Sequence, residues 1–240
     1  LSTIGIETNK FNKIISNKIN QTNNNINLDL NIIKFKFDIK QISLFLETNN
    51  TQIDFRKTQI PVKNIKVFID FLSLIKSEPK IKKINLVLHQ LDSEQLKKLS
   101  FIFKPSNFTS FIKNKIKQGK LNIELEVYLD NDNLLDNFIA RGSVTNLKAE
   151  IISDIHLEKT NFTFFADKSD ILLKNINSRS GPFNITDGDL KLTLSPEISL
   201  ETNFQTNLKS NALEVRNTNS QSATRIWRHV QNSEIQFWNF

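Results

Sequence analysis

The chain has 240 residues, of which 38% are hydrophobic and 24% are charged, a balance typical of a soluble folded protein. It contains no cysteine, which excludes disulfide scaffolds, cysteine-ligated zinc sites and thiol nucleophiles. The net charge of +7 would suit an anionic partner, but the lysines alternate with apolar residues along the chain, so we interpret most of them as the solvated face of a sheet.

The first 119 residues mix predicted helices and strands. A helix is predicted over 9–19, with Thr8 or Asn9 as its cap. Strands follow at 26–33, 34–40, 42–47, 51–57, 65–69 and 81–88. A turn is placed at Asn49-Asn50, between the strands 42–47 and 51–57, and a short helical turn at 70–76.

Two further helices are predicted before the chain becomes uniformly β. Asp92 can cap the first, over 93–102, and Ser106 can cap the second, over 107–117. Gly119 is expected to end the second helix, because glycine is common just past a helix C-terminus.

From Leu121 onward the pattern predicts strands with short separators. The predicted strands are 121–130, 137–147, 149–158, 161–167, 170–177, 183–187, 189–195, 197–208 and 212–216. Glu158-Lys159 and Asp187-Gly188 are interpreted as turns between them. We therefore expect a mainly β fold: a long antiparallel twisted sheet with a few short helices in the N-terminal half.

The chain divides by pattern into three parts. Residues 1–119 form an N-terminal α+β portion, residues 120–216 an antiparallel β-meander, and residues 217–240 a divergent tail. The chain begins at Leu1 and has no Met, so we expect a fragment or a processed product. No apolar run reaches the roughly 18–20 residues needed to span a bilayer, and any membrane anchor is expected upstream of Leu1.

Strict alternation of apolar and polar residues is the strongest pattern in the chain. Leu121, Ile123, Leu125 and Val127 alternate with polar residues, and similar runs occur at 26–40 and 190–194. A period of two places every apolar side chain on one face of a strand. The sequence thus predicts a sheet with one apolar and one polar face, and few helices to cover the apolar one.

Residues that could perform chemistry are scattered. The three histidines, His89, His156 and His229, have no acidic or histidine neighbours at metal-ligand spacing. Asp187-Gly188-Asp189 is interpreted as a hairpin turn, and no nucleophile motif or phosphate-binding glycine loop occurs. We expect no enzymatic activity, no catalytic residues, no metal and no cofactor.

Several apolar motifs together resemble the AsmA-like family of repeating β-groove proteins. They are residues 4–15, the strands of 26–39, Ser43–Thr48, Ile60-Pro61, Phe71–Ile75, Ile84–Leu86, Phe138–Leu147 and Phe164–Asp167. The resemblance covers about residues 4–210, and the tail after Asn217 departs from it.

The resemblance implies a protein anchored in the inner membrane of a Gram-negative bacterium and facing the periplasm. It further implies a hydrophobic β-groove that transports phospholipids towards the outer membrane, with acyl chains as ligands and no nucleic acid as partner. Alternation then suggests the residues that line the groove: Leu121, Ile123, Leu125, Val127, Phe162, Phe164, Leu190, Leu192 and Leu194.

The residues alone leave other interpretations open. The same apolar side chains could form the closed core of a structural or adhesive β-sandwich module of the cell envelope. The positive charge could instead indicate a basic module that binds nucleic acid or lipid headgroups.

Overall fold

The structure is a computed structural model that describes residues 3–9, 12, 26–38, 43–70, 80–102, 104–130, 134–152, 155–181 and 183–208. Apart from Asn9 and Asn12, the helix predicted over 9–19 lies outside the described residues. The predicted helical turn at 70–76, except Asp70, the strand at 212–216 and the tail 217–240 also lie outside them.

The first eight strands lie in the N-terminal half of the chain. They are β1 (Thr3–Thr8), β2 (Ile26–Asp29), β3 (Ile33–Asp38), β4 (Ser43–Asn49), β5 (Gln52–Phe55), β6 (Thr58–Ile69), β7 (Ile81–Leu88) and β8 (Leu91–Asp92). Two helices follow, α1 (Ser93–Ser100) and α2 (Asn107–Lys115).

The remaining strands are longer than most of those before them. They are β9 (Ile116–Leu129), β10 (Leu135–Ile152), β11 (Ile155–Ala166), β12 (Asp170–Ser180), β13 (Phe183–Thr193) and β14 (Ser199–Leu208). β9 crosses the boundary that the sequence places at residue 119, and one sheet joins the strands on both sides.

All fourteen described strands belong to one antiparallel sheet, which confirms the predicted fold class. Neighbouring strands follow the order β1-β3-β4-β6-β7-β9-β10-β11-β12-β13-β14. β5 pairs with β2 and with the first residues of β6, and the short β8 pairs with the start of β9. From β9 to β14 each strand pairs with the next in sequence, as the predicted meander requires.

Both helices begin where the sequence predicts. The Asp92 side chain accepts a hydrogen bond from the Gln95 backbone N–H, and the Gln95 side chain accepts one from the Asp92 N–H. Ser106 and Thr109 form the equivalent pair at α2. The predicted stop at Gly119 is wrong: α2 ends at Lys115, β9 begins at once, and Gly119 lies inside β9 with a φ of 157°.

Several predicted turns are instead irregularities within long strands. The predicted strands 137–147, 149–158 and 161–167 are two strands, β10 and β11, and the turn predicted at Glu158-Lys159 is wrong. Lys159 has a positive φ of 51° inside β11, beside a shift in the pairing register. A bulge inserts one residue without ending the strand, so the chain continues in the same direction.

The turn predicted at Asp187-Gly188-Asp189 is also wrong. All three residues lie inside β13 and pair with β14, opposite Gln205, Phe204 and Asn203.

A hairpin turn that the sequence analysis missed joins β5 to β6. Its two turn residues, Arg56 and Lys57, have φ values of 50° and 63°. Positive φ at both central positions is the geometry that two-residue hairpins require, and glycine or asparagine usually supplies it. The strand predicted over 51–57 therefore ends at Phe55.

Few side chains are fully buried, and several of them lie near the helices. Among the described residues the buried apolar set is Ile33, Phe45, Val62, Leu91, Ile112, Ile116, Ala149 and Ile176. α1 lies against β6, β8 and β9, and α2 lies against β9 and β10. The two helices thus lie against central strands of the sheet, and within the described residues neither lies against β1–β4 or β11–β14.

Candidate functional site: the apolar face of the sheet

The register between β9 and β10 establishes one apolar face at the centre of the sheet. Directly paired residues of antiparallel strands point to the same side. Leu121 pairs with Val144, Ile123 with Gly142, Leu125 with Ala140 and Val127 with Phe138. The four candidates in β9 therefore share a face with the apolar residues of β10.

The same face continues through the C-terminal strands. In β11, Phe162 pairs with Val144 and Phe164 with Gly142. The other pairs that extend this side are Phe164 with Leu173, Leu173 with Leu190, Ile171 with Leu192, and Leu192 with Leu200.

The face also continues into the N-terminal strands, which contain none of the nine candidate groove residues. The pairs along this side are Leu125 with Leu86, Val127 with Ile84, Ile84 with Val67, Leu86 with Ile65, Val67 with Leu46, Leu46 with Phe35, and Phe35 with Ile6. We call this surface, from Ile6 in β1 to Leu200 in β14, the apolar face.

The structure places eight of the nine candidate residues in strands on the apolar face. The ninth, Leu194, follows directly after β13, and its backbone N–H donates to the carbonyl oxygen of Ser169 at 2.7 Å. All nine side chains are partly exposed. Exposure rises towards the two ends of the strand order, where Ile6 is 71% and Leu200 48% exposed.

Two glycines on the apolar face lie beneath phenylalanine rings. Gly142 is paired with Phe164, and a Cβ built on Gly142 would lie 2.9 Å from the Phe164 Cζ. Gly188 is paired with Phe204, and its Cβ would lie 2.3 Å from the Phe204 Cδ1. A ring that lies across a cross-strand glycine covers exposed backbone, so both pairs keep the surface apolar where a side chain is missing.

The opposite face of the central strands carries a cluster of charged and polar side chains, with apolar residues such as Ile139 and Phe165 beside it. Arg141 donates two hydrogen bonds to Glu124, at 3.1 and 2.9 Å, and one to Glu126 at 3.0 Å. Tyr128 donates to Glu126 at 2.7 Å, and Lys83 Nζ lies 3.3 Å from the same carboxylate. We call these five residues the polar-face cluster.

The polar-face cluster shifts the pKa values of its members. The hydrogen bond from Tyr128, together with the Lys83 charge, lowers the pKa of Glu126 despite its burial. The hydrogen bonds from Arg141 and Asn85 lower the pKa of Glu124. The hydrogen bond to Glu126 raises the pKa of Tyr128, because ionised Tyr128 would no longer donate it.

The lowered pKa of Glu126 predicts a pH-dependent stability. A carboxyl group whose pKa is lower in the folded than in the unfolded chain stabilises the fold above its ordinary pKa, and this stabilisation is lost as the pH falls through the folded value. We expect Glu126→Gln to lower the unfolding free energy at pH 7 by about 1–2 kcal/mol. The difference from the wild type should shrink as the pH is lowered below about 5.

Urea unfolding at a series of pH values measures this effect. Glu201→Gln, at an exposed position in β14, is the matched control and should follow the wild type. A Glu126→Gln variant whose difference from the wild type is the same at every pH would contradict the prediction.

The described residues contain no arrangement typical of catalysis or metal binding. His89 and His156 are exposed and lie far apart in the strand order, and His229 lies outside the described residues. No group of three or more His, Asp or Glu side chains in the described ranges could hold a metal ion.

Comparison with known proteins returns no relative. No protein-family profile matches the chain, and no curated protein and no solved structure matches it. The resemblance to AsmA-like proteins therefore stays a prediction. Neither helix in the described part of the chain is long and apolar enough to cross a membrane.

Proposed function

We propose that the apolar face is a hydrophobic β-groove that holds the acyl chains of phospholipids. In this proposal the protein acts on the periplasmic side of the inner membrane and transports phospholipid between the inner and outer membranes. Its partners are acyl chains and, through a segment upstream of Leu1, the inner membrane. No step of this function requires an enzyme, a metal or a cofactor.

The continuity of the apolar face is the observation that supports the proposal. Aligned apolar residues occupy one side of eleven consecutive strands, and most of their side chains remain partly exposed. A soluble monomer rarely exposes a contiguous apolar patch larger than a few hundred Å². Hydrocarbon chains would cover such a surface without needing hydrogen-bonding partners, since the contacts are non-directional.

The polar-face cluster supports acyl-chain binding on one face of the sheet only. Ion pairs and hydrogen bonds occupy much of the side opposite Leu125 and Val127, although Ile139 and Phe165 also lie there. The continuous run of paired apolar residues lies on the other side. The alternative, an adhesive β-sandwich, requires a second sheet packed on the first. All strands in the described ranges belong to a single sheet, so no such second sheet occurs among them.

A charged substitution on the apolar face tests the proposal. We expect Leu190→Glu to weaken the binding of a fluorescent fatty-acid analogue at least about tenfold, because an acyl chain would bury a carboxylate without a partner. Fluorescence titration of the purified chain gives the dissociation constant.

The matched control is Lys191→Glu, the next residue of β13, which is exposed on the opposite face. It introduces the same side chain and should leave the dissociation constant within about twofold, as expected for an exposed position away from the ligand. The proposal would be wrong if the wild type bound no probe, or if both variants lost binding equally.

A further inference from the structure

A basic cavity lies between the β5–β6 turn and the end of α1, away from the groove candidates. Its volume is about 520 Å³, and its lining includes two lysines, Lys57 and Lys98, and the amide side chains of Gln59 and Gln95. No acidic residue lines it. Every side chain named here can donate hydrogen bonds, and both charged ones are cations.

Two further cations lie next to residues that line the cavity. Arg56, beside Lys57 in the turn, donates from Nη1 to the carbonyl oxygen of Ile102 at 2.9 Å. Lys113 of α2 has its Nζ 3.8 Å from the ring centroid of Phe101, which also lines the cavity. We call Arg56, Lys57, Lys98, Phe101 and Lys113 the basic surface.

The charge of the basic surface is not neutralised within the described residues. The ion pairs of the described ranges involve ten other cations, and none joins Arg56, Lys57, Lys98 or Lys113 to a carboxylate. Glu94 lies one helical turn before Lys98 on α1, but its carboxylate pairs with Lys97 instead.

An exposed phenylalanine lies beside these cations. Phe101 is 68% exposed, the highest value for any phenylalanine in the described residues. Lysines around an exposed aromatic ring are typical of surfaces that lie on anionic bilayers: the cations contact phosphates while the ring enters the headgroup region. A single-stranded nucleic acid fits less well, because Lys113 covers a face of the ring on which a base would stack.

We propose that the basic surface docks on an anionic lipid bilayer. α1 and α2 lie against β6, β9 and β10, all of which contribute to the apolar face, so docking places the bilayer beside the middle of that face. This inference does not rest on the proposed acyl-chain binding, since it concerns different residues and a different part of the lipid.

Vesicle co-sedimentation tests the proposal. The wild type should bind vesicles of phosphatidylcholine that contain about one third phosphatidylglycerol, and should bind pure phosphatidylcholine vesicles much less. Lys57→Gln combined with Lys98→Gln should weaken binding to the anionic vesicles about 25-fold, about fivefold for each lysine. Phe101→Ser should weaken binding to the same vesicles without removing its salt dependence.

The control variant also removes two lysine charges, but at positions elsewhere on the sheet. Lys159→Gln combined with Lys174→Gln alters two exposed lysines of β11 and β12 and should bind like the wild type. Circular dichroism of each variant confirms that the fold is retained.

Three outcomes would overturn the proposal: equal binding to neutral and anionic vesicles, no binding to either, or an equal loss in the test and control variants. Tighter binding to a single-stranded oligonucleotide than to anionic vesicles would identify a nucleic-acid surface and also overturn it. Titration of the fatty-acid probe in the absence of vesicles reports separately on the apolar face, so failure of one proposal does not imply failure of the other.

Discussion

Gly142→Ala should lower the unfolding free energy by about 3 kcal/mol or more, since the added methyl group has no space. A Cβ at Gly142 would lie 1.9 Å from the carbonyl oxygen of Asn122, in the neighbouring strand β9. It would also lie 2.9 Å from the Phe164 ring. The ring can rotate away, but the Asn122 carbonyl is fixed by the pairing of β9 with β10, so the two strands must separate locally.

Urea denaturation of the purified variant measures the loss, and Gly181→Ala is the matched control. Gly181 has a φ of 54°, but a Cβ added there would have no atom within 4 Å, so only backbone strain of about 1 kcal/mol is expected. Equal losses in the two variants would show that the close approach at Gly142 has no energetic consequence. The contrast therefore tests the packing of β9, β10 and β11, on which the geometry of the apolar face depends.

The apolar face could be predicted from the sequence because side-chain direction in a strand depends only on parity. Leu121 to Val127 occupy alternate positions, and each antiparallel pairing preserves the side on which a residue lies. The alternation at 65–69 and 81–88 carries the same signal for Ile65 and Val67. The register places both residues on the apolar face, although the nine candidate groove residues begin only at Leu121.

The ends of the long strands could not be predicted, because a bulge and a turn use similar residues. Asn146, Lys159 and Asn175 all have positive φ values inside strands. Asparagine tolerates this conformation and is also common in turns, so the sequence does not distinguish the two. This ambiguity divided β10 and β11 wrongly into three strands, and a similar one divided β13 at Gly188.

The polar-face cluster could not be predicted either, since it depends on pairing between strands. Arg141 lies 17 residues from Glu124 and 15 from Glu126, and only the β9–β10 register brings them together. The helix caps, by contrast, depend only on neighbouring residues in the sequence. Asp92 and Ser106 were predicted correctly because a capping box depends on residues only three positions apart.

Leu91→Ala should destabilise the protein by about 3 kcal/mol, the usual cost of truncating a fully buried leucine. Leu91 is 2% exposed, pairs with Leu121 through β8, and lies directly before the Asp92 cap of α1. The matched control is Leu200→Ala on β14: Leu200 is 48% exposed, so a loss below about 1 kcal/mol is expected. Thermal or urea unfolding of both variants measures the difference.

The same two variants compare a covered and an exposed position on the apolar side of the sheet. Leu91 lies on the same side of the sheet as its partner Leu121, but its side chain is already covered by protein. Leu91→Ala should therefore keep its affinity for the fatty-acid probe within about twofold, provided that the variant is folded. Leu200 is covered by little protein, so an acyl chain that reaches β14 would contact it. Leu200→Ala should therefore reduce the free energy of probe binding by more than it reduces the free energy of unfolding. Comparable destabilisation by both substitutions would mean that protein already covers the apolar face as fully as it covers Leu91, and would contradict an open groove.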